Sequence, residues 1–90
     1  MKTIWKFPLV LTDMQEIVMP KDAEILDIQE QHDALCMWAL VDPAAEKVSV
    51  AIRCYGTGHD VPDNVRKYAP TVVYLATVQQ GSFVWHFFME

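Results

Sequence analysis

Alternation of apolar and polar side chains with a period of two is the feature that most limits how this chain can fold. The clearest case is KVSVAIRCY, residues 47–55, whose alternate positions are apolar: Val48, Val50, Ile52 and Cys54. A period of two puts successive side chains on opposite faces of an extended strand, whereas a helix needs a period near 3.6. Residues 47–55 therefore predict a strand with one buried and one exposed face.

Six further segments have strand-like patterns, which are weaker in the first third of the chain and clearest in residues 71–80, where β-branched and aromatic residues are frequent. They are TIWKF (3–7), QEIVM (15–19), AEILDIQEQ (23–31), ALCMWALVD (34–42), TVVYLATVQQ (71–80) and SFVWHFFME (82–90). Residues 34–42 are apolar on both faces, which is typical of a central strand. The QQGS sequence predicts a hairpin between the last two strands, with Gly81 at a positive φ. PAAE predicts a second hairpin, between 34–42 and 47–55.

Short strands at this spacing predict an all-β fold for a single domain of residues 1–90, either a small antiparallel β-sandwich or an open barrel. Pro62 and Asp63 are typical of the first turn of a helix. One short helical turn is therefore expected near 62–68, before Pro70. An α+β fold with a helix in the acidic first third is the alternative.

Acidic side chains are concentrated in one part of the chain. The net charge is −5, and residues 13–46 carry nine acidic side chains and one lysine. Nucleic-acid binding by phosphate neutralisation needs clustered Lys and Arg, so no direct binding to nucleic acid is expected. The acidic stretch would attract a basic partner, or it is simply a solvated surface that maintains solubility. The candidate acidic partner face consists of Asp22, Glu24, Asp27 and Glu30.

The sequence predicts neither a membrane span nor a secretory signal. The longest apolar run, ALCMWALV, has eight residues, against the ~20 that a bilayer requires. Lys6 and Pro8 interrupt the apolar part of the N-terminal segment. We therefore expect a cytoplasmic protein without membrane contact. In that reducing compartment Cys36 and Cys54, which lack C-x-x-C spacing, are expected to be small buried apolar side chains.

The segment CYGTGHDVP, residues 54–62, contains the candidate ligand loop. Gly56 and Gly58 would allow a ligand to approach the backbone closely, and His59, oriented by Asp60 or Asp63, could act as a base or ligand. In the architectural alternative, both glycines adopt turn conformations where strand 47–55 ends, and His59 and Asp60 hydrogen-bond locally. Because neither GxxxxGK[ST] nor GxGxxG is present, we prefer the architectural interpretation.

No catalytic, cofactor-binding or metal-ligating residue is predicted. His32, His59 and His86 lack the paired spacing of zinc ligands, and neither serine, Ser49 or Ser82, lies in a GxSxG motif. Ninety residues also leave little room for a core and an enclosed pocket together. The sequence therefore indicates a protein that is not an enzyme and has no cofactor.

An excess of apolar side chains is the best indication of function. On the last strand, alternation puts Trp85 and Phe87 on one face and Val84 and Phe88 on the other. A small two-layer domain seldom covers both faces of a sheet, and exposed apolar patches usually mark interfaces. We expect self-association, most simply as a homodimer, unless a compact barrel absorbs these side chains. The candidate interface residues are Trp5, Trp38, Phe83, Trp85 and Phe87.

Several segments together resemble a known group of proteins. They are MKTIWKFPL (1–9), Met19–Pro20, WALVDP (38–43), GTGH (56–59) and FVWHFF (83–88). The chain is similar in these segments to a small, functionally uncharacterised protein family of tailed bacteriophages and prophages. The resemblance implies a phage or prophage origin and the cytoplasm of a host cell, and it implies no catalytic residue.

The residues and the resemblance together predict a non-enzymatic phage or prophage accessory protein. It would act as a small protein–protein interaction module that associates with itself and with a host or phage protein. One alternative is ligand binding or catalysis at the loop of residues 56–60. Another is acidic mimicry of nucleic acid that binds a host DNA-binding protein.

Overall fold

Seven strands make up most of the computed structural model, which describes residues 1–90. They are β1 (Thr3–Pro8), β2 (Met14–Pro20), β3 (Glu24–Gln31), β4 (Ala34–Val41), β5 (Lys47–Gly56), β6 (Val73–Gln80) and β7 (Phe83–Met89). All hydrogen-bonded pairs are antiparallel. Sheet 1 has the order β1-β4-β3 and sheet 2 the order β2-β5-β7-β6. The two sheets form a small β-sandwich, which confirms the predicted all-β class and excludes the α+β alternative.

The strand pairing confirms two predictions from the sequence. β4 is apolar on both faces and is the central strand of sheet 1, with β1 and β3 on either side. β6 and β7 form the predicted hairpin, in which Gln80 pairs with Phe83 and Gly81 has φ +59°. The positive φ falls only on the first of the two central residues, as a type II′ turn requires.

The predicted hairpin between residues 34–42 and 47–55 is wrong. β4 belongs to sheet 1 and β5 to sheet 2, where β5 pairs with β2 and β7. The connecting residues form a turn in which the amide of Ala45 donates to the carbonyl of Asp42 and the amide of Ala44 donates to the Asp42 side chain. Such a turn is compatible with a hairpin and also with a connection between two sheets. The local sequence therefore does not distinguish these two connections.

The helical turn expected near residues 62–68 is also wrong. The structure has reverse turns there, in which the amide of Val65 donates to Pro62 and that of Ala69 donates to Arg66. Val65 is buried, and Tyr68 forms a β-bridge to Val73. The bridge holds Tyr68 beside the start of edge strand β6. A helix of one or two turns is unstable without strong tertiary support. The bridge and the turn hydrogen bonds therefore stabilise this segment more than a short helix would.

One core lies between the sheets. Its fully buried members include Met37 of sheet 1 and Ile52 and Phe87 of sheet 2. The predicted faces of residues 47–55 are confirmed, because Ile52 and Cys54 are buried while the alternate side chains lie on the outer face. No helix in the structure is long and apolar enough to span a bilayer.

Candidate functional site

The candidate ligand loop and two of the candidate interface residues meet at one end of the sandwich. Gly56, the last residue of β5, pairs with Trp85 of β7. The His59 ring lies edge-on to Trp85 with 6.5 Å between centroids. Phe83, which is 62% exposed, stacks on Trp85 with 5.6 Å between centroids. We call this region, formed by Gly56, His59, Phe83 and Trp85, the end groove.

The space above Gly56 is occupied by the chain's own histidine. The amide of Gly56 donates to Nδ1 of His59 over 3.3 Å, and the amide of His59 donates to the Gly56 carbonyl over 3.0 Å. A Cβ atom on Gly56 would lie 2.8 Å from Cε1 of His59. Gly58 has φ +88° in the following turn, and Asp60 is exposed and forms no hydrogen bond with His59. This arrangement supports the architectural interpretation of the loop.

Two cavities adjoin His59 and Trp85. The smaller, of about 170 Å³, is also lined by Leu11, Asp13 and Cys54. The larger, of about 450 Å³, extends along Phe83. The indole N–H of Trp85 already donates to Gln80 over 3.3 Å. The groove thus offers mainly aromatic surface to its surroundings.

The cysteine beside this groove is unreactive at neutral pH. Burial, and secondarily the charge of Asp13, raise the pKa of Cys54 to about 11. The nucleophilic form of cysteine is the thiolate, which is scarce so far below the pKa. Cys36 is also buried and free. No three or more His, Cys, Asp and Glu side chains are grouped so that they could hold a metal ion.

The candidate interface residues do not form one surface. Phe87 is fully buried in the core, so its assignment to an interface is wrong. Trp38 lies on the outer face of sheet 1, in register with Lys6 and Asp27. Trp5 is beneath the ammonium of Lys47, 5.6 Å from its ring centroid, far along the sandwich from the end groove. Alternation predicted the face of each strand but could not say which faces adjoin.

The candidate acidic partner face is likewise divided. Asp22 lies in the turn before β3 with φ +63°. A bulge between Ile25 and Asp27 shifts the register, so that Glu30 lies opposite the buried Leu35, on the other face from Glu24. The Asp27 carboxylate accepts hydrogen bonds from the amide of Ile28 and the side chain of Gln29. These four carboxylates therefore present no single acidic surface, contrary to the expectation.

The outer face of sheet 2 carries an aromatic cluster that the sequence analysis did not single out. Phe88 lies at the centre, with its ring centroid 5.9 Å from that of Tyr55 and 5.6 Å from that of Tyr74, both edge-on. All three are half-buried, and no third sheet packs over them. We call these three residues the outer aromatic cluster. The alternation of β5 and β7 was the signal that could have found it.

A chain of hydrogen bonds runs along the same face. The Thr57 hydroxyl lies 2.7 Å from Nε2 of His86, and Nδ1 of His86 lies 3.1 Å from the Thr77 hydroxyl. The Thr77 hydroxyl lies in turn 2.7 Å from the Tyr74 hydroxyl. His86 is thereby held between Thr57, which follows β5, and Thr77 of β6. This network orients Tyr74 of the outer aromatic cluster. No sequence motif predicted the network.

Charged and apolar side chains surround the cluster. Arg53 forms an ion pair with Glu90, whose hydrogen bond raises the pKa of Arg53. The ammonium of Lys67 lies 5.4 Å from the centroid of the Tyr74 ring. On edge strand β2, Met14 and Val18 are 46% and 63% exposed. The face thus combines aromatic, aliphatic and arginine side chains, the composition enriched in protein interfaces.

The comparison with protein families finds one description for this chain. Residues 1–90 match the family model described as a domain of unknown function (DUF7352). No curated protein and no solved structure matches the chain.

Proposed function

We propose that this chain, which belongs to the DUF7352 family, is a non-enzymatic interaction module. It binds a second copy of itself through the outer face of sheet 2. The description of the family states no activity. The outer aromatic cluster, which is half-buried and has no third sheet packed over it, is the observation that carries this proposal. The proposed setting is the cytoplasm of a host cell carrying a phage or prophage. That setting rests on the sequence resemblance alone.

The position of Phe88 supports an interface here. Large aromatic side chains in a contiguous patch, with an arginine nearby, are the groups that contribute most to binding energy in protein complexes. Val84 and Phe88 project from β7, a central strand of sheet 2, so the apolar surface lies in the middle of the face. A partner would remove from water the part of this apolar surface that the sandwich leaves exposed.

The outer face of sheet 1 is less suitable. The ammonium of Lys6 reaches across this face to the side chain of Gln31, over 2.8 Å. Glu24 and Asp27 lie on the same face. Burying these charges without fitted partners would cost free energy. Sheet 2 has no equivalent charge crossing its centre apart from the internally paired Arg53.

Two neighbouring residues of β7 test the proposal, because their side chains point to opposite faces. Val84→Lys places a charge on the outer face and should raise the dimer dissociation constant by about tenfold or more, since the buried lysine has no partner. Phe83→Lys changes the exposed tip of the end groove and should leave the dimer dissociation constant unchanged. Sedimentation equilibrium over a range of concentrations measures both constants, with thermal denaturation to confirm folding. Loss of association only in Phe83→Lys would move the interface to the end groove.

A further inference from the structure

The strand register places the groups of the sheet 2 outer face in a simple pattern. One row across the four strands consists of Met14, Arg53, Phe88 and Tyr74. The next outward-facing row contains Glu16 of edge strand β2, Ala51 of β5 and Glu90, which follows β7. At the opposite edge, the Tyr68–Val73 bridge holds Lys67 beside the start of β6. An acid and a base therefore lie at opposite edges, at a similar height along the strands.

The centre of this face has no net charge. Arg53 and Glu90 compensate each other through their ion pair. Glu16 is exposed and forms no ion pair within the chain, and Lys67 contacts the rings of Tyr68 and Tyr74. The charges available to a second copy are thus a negative one at the β2 edge and a positive one at the β6 edge.

Two sheets can stack face to face about a two-fold axis in either of two directions. With the axis perpendicular to the strands, each edge strand covers its own counterpart, and Glu16 approaches the partner's Glu16. With the axis parallel to the strands, the start of β2 lies over the start of the partner's β6, and Glu16 approaches the partner's Lys67. Like charges at a contact oppose association, and opposite charges steer and favour it. The charge pattern selects the second arrangement.

We propose that two copies stack through the outer faces of sheet 2 about a two-fold axis parallel to the strands, with two symmetry-related contacts between Glu16 and the partner's Lys67. This inference rests on the proposed self-association and specifies its geometry. Phe88 and Val84 lie on β7, next to the axis, and face the partner's β5. Aligned packing of this kind is a common relation between stacked sheets.

The size of the face sets the expected strength. Four strands about 4.8 Å apart and about seven residues long give a face of roughly 450 Å². A typical stable interface covers about 800 Å² on each partner, and smaller ones belong to weak complexes. The dimer is therefore expected to dissociate in the micromolar range, and the measurement has to extend to several hundred micromolar.

Charge reversal tests the geometry. Glu16→Lys and Lys67→Glu each replace two attractions by two repulsions and should each weaken the dimer about tenfold. The double variant Glu16→Lys/Lys67→Glu exchanges the charges and should restore the wild-type dissociation constant to within about threefold. Glu24→Lys makes the same change on the outer face of sheet 1 and is the matched control, with no change expected. Sedimentation equilibrium at low salt measures all five proteins.

Three outcomes would count against the proposal, and they identify different failures. A wild-type chain that stays monomeric at several hundred micromolar contradicts the proposed self-association and this geometry with it. A wild-type dimer that is insensitive to either reversal leaves self-association standing but rejects the contact between Glu16 and the partner's Lys67. A double variant as weak as the single variants also rejects it, because charges that meet across the axis must compensate.

Discussion

Gly56 shows how one residue acquires a different meaning in three dimensions. Its position beside Thr57, Gly58 and His59 predicted either close approach of a ligand or a turn. In the structure, the ring of His59 fills the space that a glycine leaves, and its Nδ1 accepts the Gly56 amide. The φ of Gly56 is not positive, so the absent Cβ matters there and backbone freedom does not.

A double-mutant cycle tests this explanation. Gly56→Ala should lower the free energy of unfolding by about 1 kcal/mol, because the new methyl group displaces His59 and breaks its hydrogen bond. In a His59→Ala background the same change should be neutral or stabilising, because alanine restricts the unfolded chain more than glycine does. Urea denaturation of the four proteins measures the coupling. Equal effects in both backgrounds would contradict the steric role of His59.

Phe87 and Phe88 are adjacent residues with opposite roles. Phe87 is fully buried between the sheets, and Phe88 is half-buried on the outer face of sheet 2. The sequence analysis predicted correctly that they lie on opposite faces. It placed the interface on the face of Phe87 because both faces are apolar, and only the position of sheet 1 shows which face is covered.

At the scale of elements, the two two-residue hairpins use different turn chemistry. Gly81 and Ser82 connect β6 to β7 with the conformation that glycine favours. His32 and Asp33 connect β3 to β4, and both have positive φ, at +52° and +65°. Positive φ at both central residues is the type I′ turn, which prefers Asn-Gly. The β3–β4 connection thus retains backbone strain that a different sequence would relieve.

Asp33→Gly should relieve this strain. We expect a gain of about 1 kcal/mol in the free energy of unfolding, because an L-residue at this φ brings its Cβ too close to the backbone. Asp33→Ala keeps the Cβ and should give no gain, which makes it the matched control. Thermal denaturation measures both. An equal gain from alanine would assign the effect to the lost carboxylate and not to the backbone.

At the scale of the whole molecule, one core couples the two sheets. The core cluster takes Ile28, Leu35 and Met37 from sheet 1 and Met19, Ile52, Cys54 and Phe87 from sheet 2. A small domain with one shared core usually unfolds in a single transition. A titratable group in that core therefore links the stability of the whole fold to pH.

Cys54 is that group. Burial and Asp13 raise its pKa from 9.0 to about 11. Below pH 9 the thiol is protonated in both states and its full contribution to stability is present. As the pH rises from 9 to 11 the unfolded state loses this proton first, so stability should fall by up to about 2–3 kcal/mol.

Denaturation at several pH values measures this loss. Cys54→Ala lowers stability at neutral pH because it leaves a cavity, but it should remove the part of the alkaline decline that belongs to this proton. Cys36→Ala is the control, since it deletes a buried thiol while leaving Cys54 in place. Identical alkaline slopes for wild type and Cys54→Ala would show that other groups account for the decline.

The sequence by itself determined which segments are strands, which side chains share a face, and that β4 is central. These properties follow from the period of two and from local turn residues, so neighbouring residues specify them. Only the tertiary structure decided that β4 and β5 belong to different sheets, that residues 62–68 form reverse turns, and that no third sheet packs on the outer face of sheet 2. Those outcomes depend on contacts between residues that are distant in the chain, such as Gly56 with Trp85. The free energy of such contacts cannot be inferred from a local sequence pattern.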